Sequence, residues 1–150
     1  MKLPAELLRK QFPSKLVRGA TVRFEFQAFA DPKRTGPGPK FAIVLNRADV
    51  QDPVYLALTT SKVEPYDKTT QFDGVVMKFA AGEYGCWPLR TVVALRDNPT
   101  EASRTRLEQQ FVDGRLSFVG SLTAPHLARL DGIIQTCPFI SPNLRQFLLP

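Results

Sequence analysis

The apolar residues of this chain change their period along its length, and that change most narrows the folds open to it. From Ala20, the residues Val22, Phe24, Phe26 and Ala28 alternate with Thr21, Arg23, Glu25 and Gln27, the pattern of a half-buried strand. Lys40 to Asn46 (KFAIVLN) is a nearly continuous apolar run, which predicts a strand buried on both faces. Val54 to Ser61 (VYLALTTS) predicts another strand, ending in hydroxyls. Phe72 to Phe79, with a bulge at Gly74, and Leu89 to Leu95 predict two more. Only then does a helical period take over. Asn98-Pro99-Thr100-Glu101 predicts a helix start with Thr100 as N-cap, Leu107 and Phe111 facing inward, and a stop at Asp113-Gly114. Residues 115–120 predict a short strand. Thr123 and Pro125 then open a second helix with Leu127, Leu130, Ile133 and Ile134 as its apolar stripe, closed by Pro138.

Strands come first and helices do not alternate with them, so a doubly wound parallel sheet is disfavoured. The expected fold is mainly β with helices (α+β), a small antiparallel barrel with two C-terminal helices. Residues 4–12 predict a short N-terminal helix with Leu7, Leu8 and Phe12 on one face, ended by Pro13. At 150 residues the chain reads as a single domain. Residues 1–17 form a helical extension, 18–137 the barrel and its helices, and 138–150 an apolar tail.

Composition excludes several classes. Two cysteines, Cys86 and Cys137, and one histidine, His126, cannot build a disulfide framework or a Cys/His zinc cluster. No apolar run approaches the roughly 20 residues that span a bilayer, and the N-terminus MKLPAELLRKQF lacks a signal-peptide core. A cytoplasmic location without membrane association is expected. There is no Walker loop, GxSxG elbow or HExxH pair. Asp49 and Asp52 read as a solvated turn, His126 as a structural histidine, and Cys86 and Cys137 as packed residues.

The formal charge is +6, and residues 1–50 carry ten basic against four acidic side chains. With a pI near 9.6, that surplus points to nucleic acid, or to an acidic protein partner. The candidate chemistry lies at strand ends. Lys40 opens one strand, Thr59, Thr60, Ser61 and Lys62 end the next, and Arg90 and Thr91 open a third. Converging at one rim, cations and hydroxyls would bind a phosphodiester and favour its doubly charged five-coordinate state. The competing reading has the same residues simply facing water.

The segments VRGATVRFEF, KFAIVLN, LALTTSK and CWPLRTVVAL, in this order and with a basic loop after the first, resemble the MazF/PemK-like toxins, which have an SH3-like barrel. The likeness covers about residues 18–137. It implies a metal-independent, cofactor-free endoribonuclease that cuts single-stranded RNA by attack of a 2′-hydroxyl on the adjacent phosphate. Lys40 would stabilise the phosphate charge, Thr59 or Thr60 would hydrogen-bond it, and Arg90 would add a second cation. Lys33, Arg34 and Lys62 would follow the backbone beside Ser61, and Tyr66 or Trp87 would stack a base. The resemblance also implies a homodimer and an antitoxin or acidic partner peptide. Three residues depart from the pattern: Lys40 stands for an arginine, Phe41 for a proline and Trp87 for an aspartate. No obvious general base remains, Glu25 and Asp31 being the substitutes at hand. The rival expectation is a non-catalytic SH3-like barrel module that binds RNA or a partner protein.

Overall fold

The computed structural model describes residues 3–25 and 40–150. Phe26 and Ala28 of the first expected strand, and the loop residues Asp31, Lys33 and Arg34, lie outside the described residues. Among the described residues seven strands form one antiparallel sheet: β1 (Ala20–Phe24), β2 (Lys40–Val44), β3 (Val54–Thr60), β4 (Val76–Phe79), β5 (Thr91–Ala94), β6 (Thr100–Ala102) and β7 (Leu116–Ser121). The helices are α1 (Ala5–Lys15), α2 (Glu64–Asp67), α3 (Arg104–Val112), α4 (Ala124–Thr136) and α5 (Pro142–Leu148). The fold class is α+β, as the order of periods predicts.

The strand order is β4-β5-β3-β2-β1-β7, with β6 also on β3. Among the described residues β4 and β7 do not pair, so the sheet is open and the expected closed barrel is corrected. Instead β3 is shared. Its first half pairs with β6 (Val54↔Ala102 to Leu56↔Thr100), and its end pairs with β5 (Thr59↔Val93, Thr60↔Val92). The sheet forks at Ala57 and Leu58.

The solid apolar character of β2 has the predicted cause. Ala42 and Val44 join one core with Val22, Phe24, Leu56, Leu116, Phe12 of α1 and Leu107 of α3. Ile43 and Leu45 join another with Tyr55, Ala57, Val93, Leu130 and Ile134 of α4, and Leu148 of α5. Successive side chains point to opposite faces of a strand, so both faces must be apolar where helices cover both. The N-terminal extension and the C-terminal tail are therefore parts of the core, one on each side of the sheet. Residues 138–150 are not a plain tail: they contain a third C-terminal helix, α5, capped by Ser141 Oγ accepting from Leu144 N (3.2 Å). Arg18 links the layers, its Nε donating to Leu45 O (3.2 Å) and Leu148 O (2.9 Å) and its Nη1 pairing with Asp131 (2.5 Å).

Local expectations are corrected at four points. α1 runs through Pro13 to Lys15. The proline lies so near the end that only one helical bond is forfeited, and Leu16 N still closes on Phe12 O (2.9 Å). Thr100 is not an N-cap. It lies in β6, because the forked β3 offers an unpaired edge there, and α3 starts three residues later at Ser103, whose side chain accepts from Arg106 N. Asp52 Oδ1 accepts from Arg104 N (2.8 Å) and serves the same helix end. Gly74 sits in a 3₁₀ turn, Asp73–Val75, rather than a bulge. β1 is not half-buried: Thr21 is fully buried together with Val22, since helices cover both faces. Gly19, at φ +85°, turns the chain into β1, and a Cβ there would approach Leu127 Cδ1 to 3.3 Å. Among the described residues no helix is long and apolar enough to cross a membrane.

Phe12 is fully buried against Phe111 and Phe118, at ring centroid distances of 5.8 and 6.0 Å. Phe12→Ala should cost about 3–5 kcal/mol and Leu148→Ala about 2–5 kcal/mol in urea unfolding, although both lie near the chain ends. Ser103→Ala should cost about 1 kcal/mol, whereas Thr100→Val should stay within about 0.5 kcal/mol because position 100 is strand and not cap.

Candidate functional site

The register of the sheet brings together residues distant in sequence. β2 pairs with β3 at Ala42↔Leu58, and continuing that antiparallel register sets Lys40 beside Thr60. Thr60 is opposite Val92, and Val92 is opposite Lys78. Lys40, Thr60, Val92 and Lys78 thus form one row across four strands on one face.

A pocket of about 180 Å³ opens at the end of this row, lined by Lys40, Phe41, Thr59, Thr60, Ser61, Cys86, Trp87, Pro88, Leu89 and Thr91. The strand-end residues singled out by spacing meet here, with the exception of Lys62 and Arg90. Lys40 is half-buried, and its ammonium donates to Thr59 O (3.2 Å). Thr59 Oγ1 donates to Phe41 O (3.2 Å) and Thr91 Oγ1 to Leu89 O (3.0 Å), so both hydroxyl hydrogens are engaged by backbone. Thr60 Oγ1 accepts from Lys62 N (3.1 Å) and keeps its own hydrogen to give. Ser61 lines the pocket and is exposed, and the next residue, Lys62, is exposed outside the lining.

Arg90 lies next to two lining residues but turns toward α2. Its Nη1 and Nη2 donate to both carboxylate oxygens of Asp67 (2.8 and 3.0 Å), and Lys78 Nζ stands 3.7 Å from the same group. The Arg90 hydrogen bonds hold the Asp67 carboxyl below the usual aspartate range, and the pairing raises Arg90 in turn. The second cation expected at the rim is therefore already matched by a carboxylate.

The two candidate base-stacking residues differ. Trp87 is 2% exposed and packs on Phe79 (5.0 Å) and Tyr84 (5.3 Å), so its ring faces are not offered to a base. That correction follows from burial, which a single residue beside a turn does not reveal in sequence. Tyr66 is half-buried, edge-to-face with Phe72 (6.1 Å), and Arg96 lies over both rings, 6.0 Å from Tyr66 and 4.0 Å from Phe72. Lys78, Asp67 and Arg96 were not candidates from sequence. Their signal is the register of β4 against β5, which spacing does not contain.

Among the described residues no Asp, Glu or His lines the pocket. Glu25 is paired with Arg23 (3.0 Å). His126 stands apart as a structural latch, its Nδ1 2.5 Å from Tyr84 Oη and 3.2 Å from Thr123 Oγ1, with Phe79 edge-on at 5.1 Å. It ties the 80–88 turn to the start of α4. Burial pushes the Cys86 thiol up, away from the thiolate. Cys137 is buried and donates to Leu95 O (3.1 Å). Asp49 is held by Arg47 Nη2 (3.0 Å) in its turn. Among the described residues no three His, Cys, Asp or Glu side chains group as metal ligands.

No protein-family model matches the chain, and no curated protein matches it either. The site is thus defined by its geometry: a small pocket with one ammonium, free hydroxyls at its mouth and apolar walls, flanked by an internally paired arginine. Its ammonium and hydroxyls are the kinds of donor that can hold an anion.

The Asp67–Arg90 pair titrates with a definite sign. Because the folded carboxyl is depressed, the pairing is fully formed above the ordinary aspartate range and is lost as pH falls through the lowered value. Carboxyl-carbon NMR should give Asp67 a midpoint below that of a free aspartate, and Arg90→Ala should move it back up.

Proposed function

We propose that the protein is a binding module for single-stranded RNA that seats a backbone phosphate at the Lys40 pocket and does not cleave the strand. The observation that carries this reading is the pocket itself, in which Lys40, Thr60 and Ser61 gather and no carboxylate or imidazole joins them among the described residues. The surplus of basic side chains and the order of segments that resembles the MazF/PemK-like toxins direct the anion toward RNA rather than toward a small acid.

Cleavage through the 2′-hydroxyl needs a group to remove its proton and a group to protonate the leaving 5′-oxygen. Lys40 is a cation and can only donate. Cys86 is kept in its thiol form by burial. Thr59 and Thr91 spend their hydrogens on carbonyls. Arg90 cannot add net charge to a five-coordinate phosphate while Asp67 holds it. What remains among the described residues, one ammonium and the Thr60 and Ser61 hydroxyls, can hold a phosphate but includes no group to take the 2′-hydroxyl proton, which supports binding rather than cleavage.

The test is fluorescence anisotropy with a labelled, mixed-sequence single-stranded RNA in EDTA over a salt series. Binding should weaken steeply with salt, and Lys40→Ala should reduce affinity several-fold while lowering the log–log slope by about 0.7, one phosphate's share. Absent or salt-independent binding would overturn the reading. Fragments ending in cyclic phosphate would replace it with the nuclease.

A further inference from the structure

A second cleft lies where the sheet forks. It has a volume of about 360 Å³ and is lined by the β3 residues Leu56, Ala57 and Leu58, by Tyr66 of α2, and by Ala94 to Thr100. That size falls within the roughly 300–1,000 Å³ of small-ligand sites. The cleft exists because β5 and β6 both pair with β3 and diverge between Thr59 and Leu56. The peptide units of Leu58 thus have no register partner on that side.

We infer that this cleft holds a second nucleotide of the strand whose phosphate sits at Lys40, an inference that rests on the RNA-binding reading above. Its walls present mostly donors. The Arg96 guanidinium is exposed, makes no ion pair among the described residues, and is held in place over Phe72 at 4.0 Å. Stacking fixes its plane and leaves its N–H fork free for a phosphate. Asn98 Oδ1 accepts from Ser141 N (3.1 Å), which orients the amide and leaves its NH₂ to give. The hydroxyls of Tyr66 and Thr100 have no partner among the described residues. Asp97 is the one acceptor of full charge on the wall. It opposes a bare anion and accepts from the N–H groups of a base edge, so the cleft suits a whole nucleotide better than free phosphate.

The two sites belong to one path. Lys40, Thr60 and Leu58 lie on the same face by register and alternation. Thr60, at the first pocket, and Leu56, at the second, are four residues apart on β3, about 13 Å at about 3.3 Å per residue. α2 stands between them, with Asp67 occupying Arg90 and Lys78.

The experiment measures anisotropy for single-stranded RNAs from two to ten nucleotides with wild type, Lys40→Ala, Arg96→Ala and Tyr66→Phe, each first checked for an unchanged thermal melt. Arg96→Ala should weaken the longer RNAs several-fold and lower their salt slope by about 0.7, while leaving the dinucleotide unchanged. Tyr66→Phe, which keeps the ring, should weaken the longer RNAs about twofold. Inorganic phosphate should not compete at concentrations where a nucleoside monophosphate does. If Lys40→Ala weakens every length while Arg96→Ala and Tyr66→Phe change none, the second site is refuted and the binding reading stands. If no RNA binds, both fall.

Discussion

The structure depends on a strand pair buried from both sides. β2 and the first part of β3 contribute side chains alternately to two separate cores, so neither strand has a solvent face. Such a pair is stable only if something covers each side. α1 and α3 cover one, and α4 and α5 cover the other. This explains why the chain ends are structural. Phe12 and Leu148 are as buried as any residue of the sheet centre, and removing either face would expose a continuous apolar surface to water. Arg18 reinforces the arrangement by satisfying the carbonyl of Leu45, just past β2, and one of α5 while pairing with α4.

The sharing of β3 has the largest consequence for function. A strand that kept one partner along its length would leave no gap, and Thr100 would be free to open a helix. Because β5 takes only the end of β3, β6 forms on the remainder and α3 is displaced to Ser103. The same divergence opens the cleft beneath Tyr66 and Arg96. At the far end of β3, the ladder to β2 sets Lys40 against Thr60. One strand thus organises both the Lys40 pocket and the cleft at the fork.

The face around Lys40 and Thr60 gathers cations. Lys40, Lys62, Lys78, Arg90 and Arg96 lie on or around it, yet Asp67 takes up Arg90 and approaches Lys78. The ammonium of Lys40, which has no carboxylate partner among the described residues, shares the pocket with hydroxyls and apolar walls. Proton transfer needs a group able to change its charge at the reacting atom, and among the described lining residues such groups are limited to the thiol of Cys86, pushed up by burial, and the amine of Lys40.

Much of the fold is written in local pattern. The apolar run at Phe41–Leu45 already requires burial on two sides, and the stop at Asp113-Gly114 needs only a residue able to take φ +78°. The gathering of Lys40, Thr59, Thr60 and Ser61 was legible as strand ends awaiting a common rim. Three things were not. The partner of Arg90 lies 23 residues away on a helix of four residues, too short to announce itself. The burial of Trp87 depends on Phe79 and Tyr84 closing over it. Whether the strands close into a barrel or fork depends on which edge each one meets. Side-chain period is a property of neighbours in sequence, and the sequence alone determined it. Strand pairing and charge matching depend on neighbours in space, and only the tertiary structure decided those.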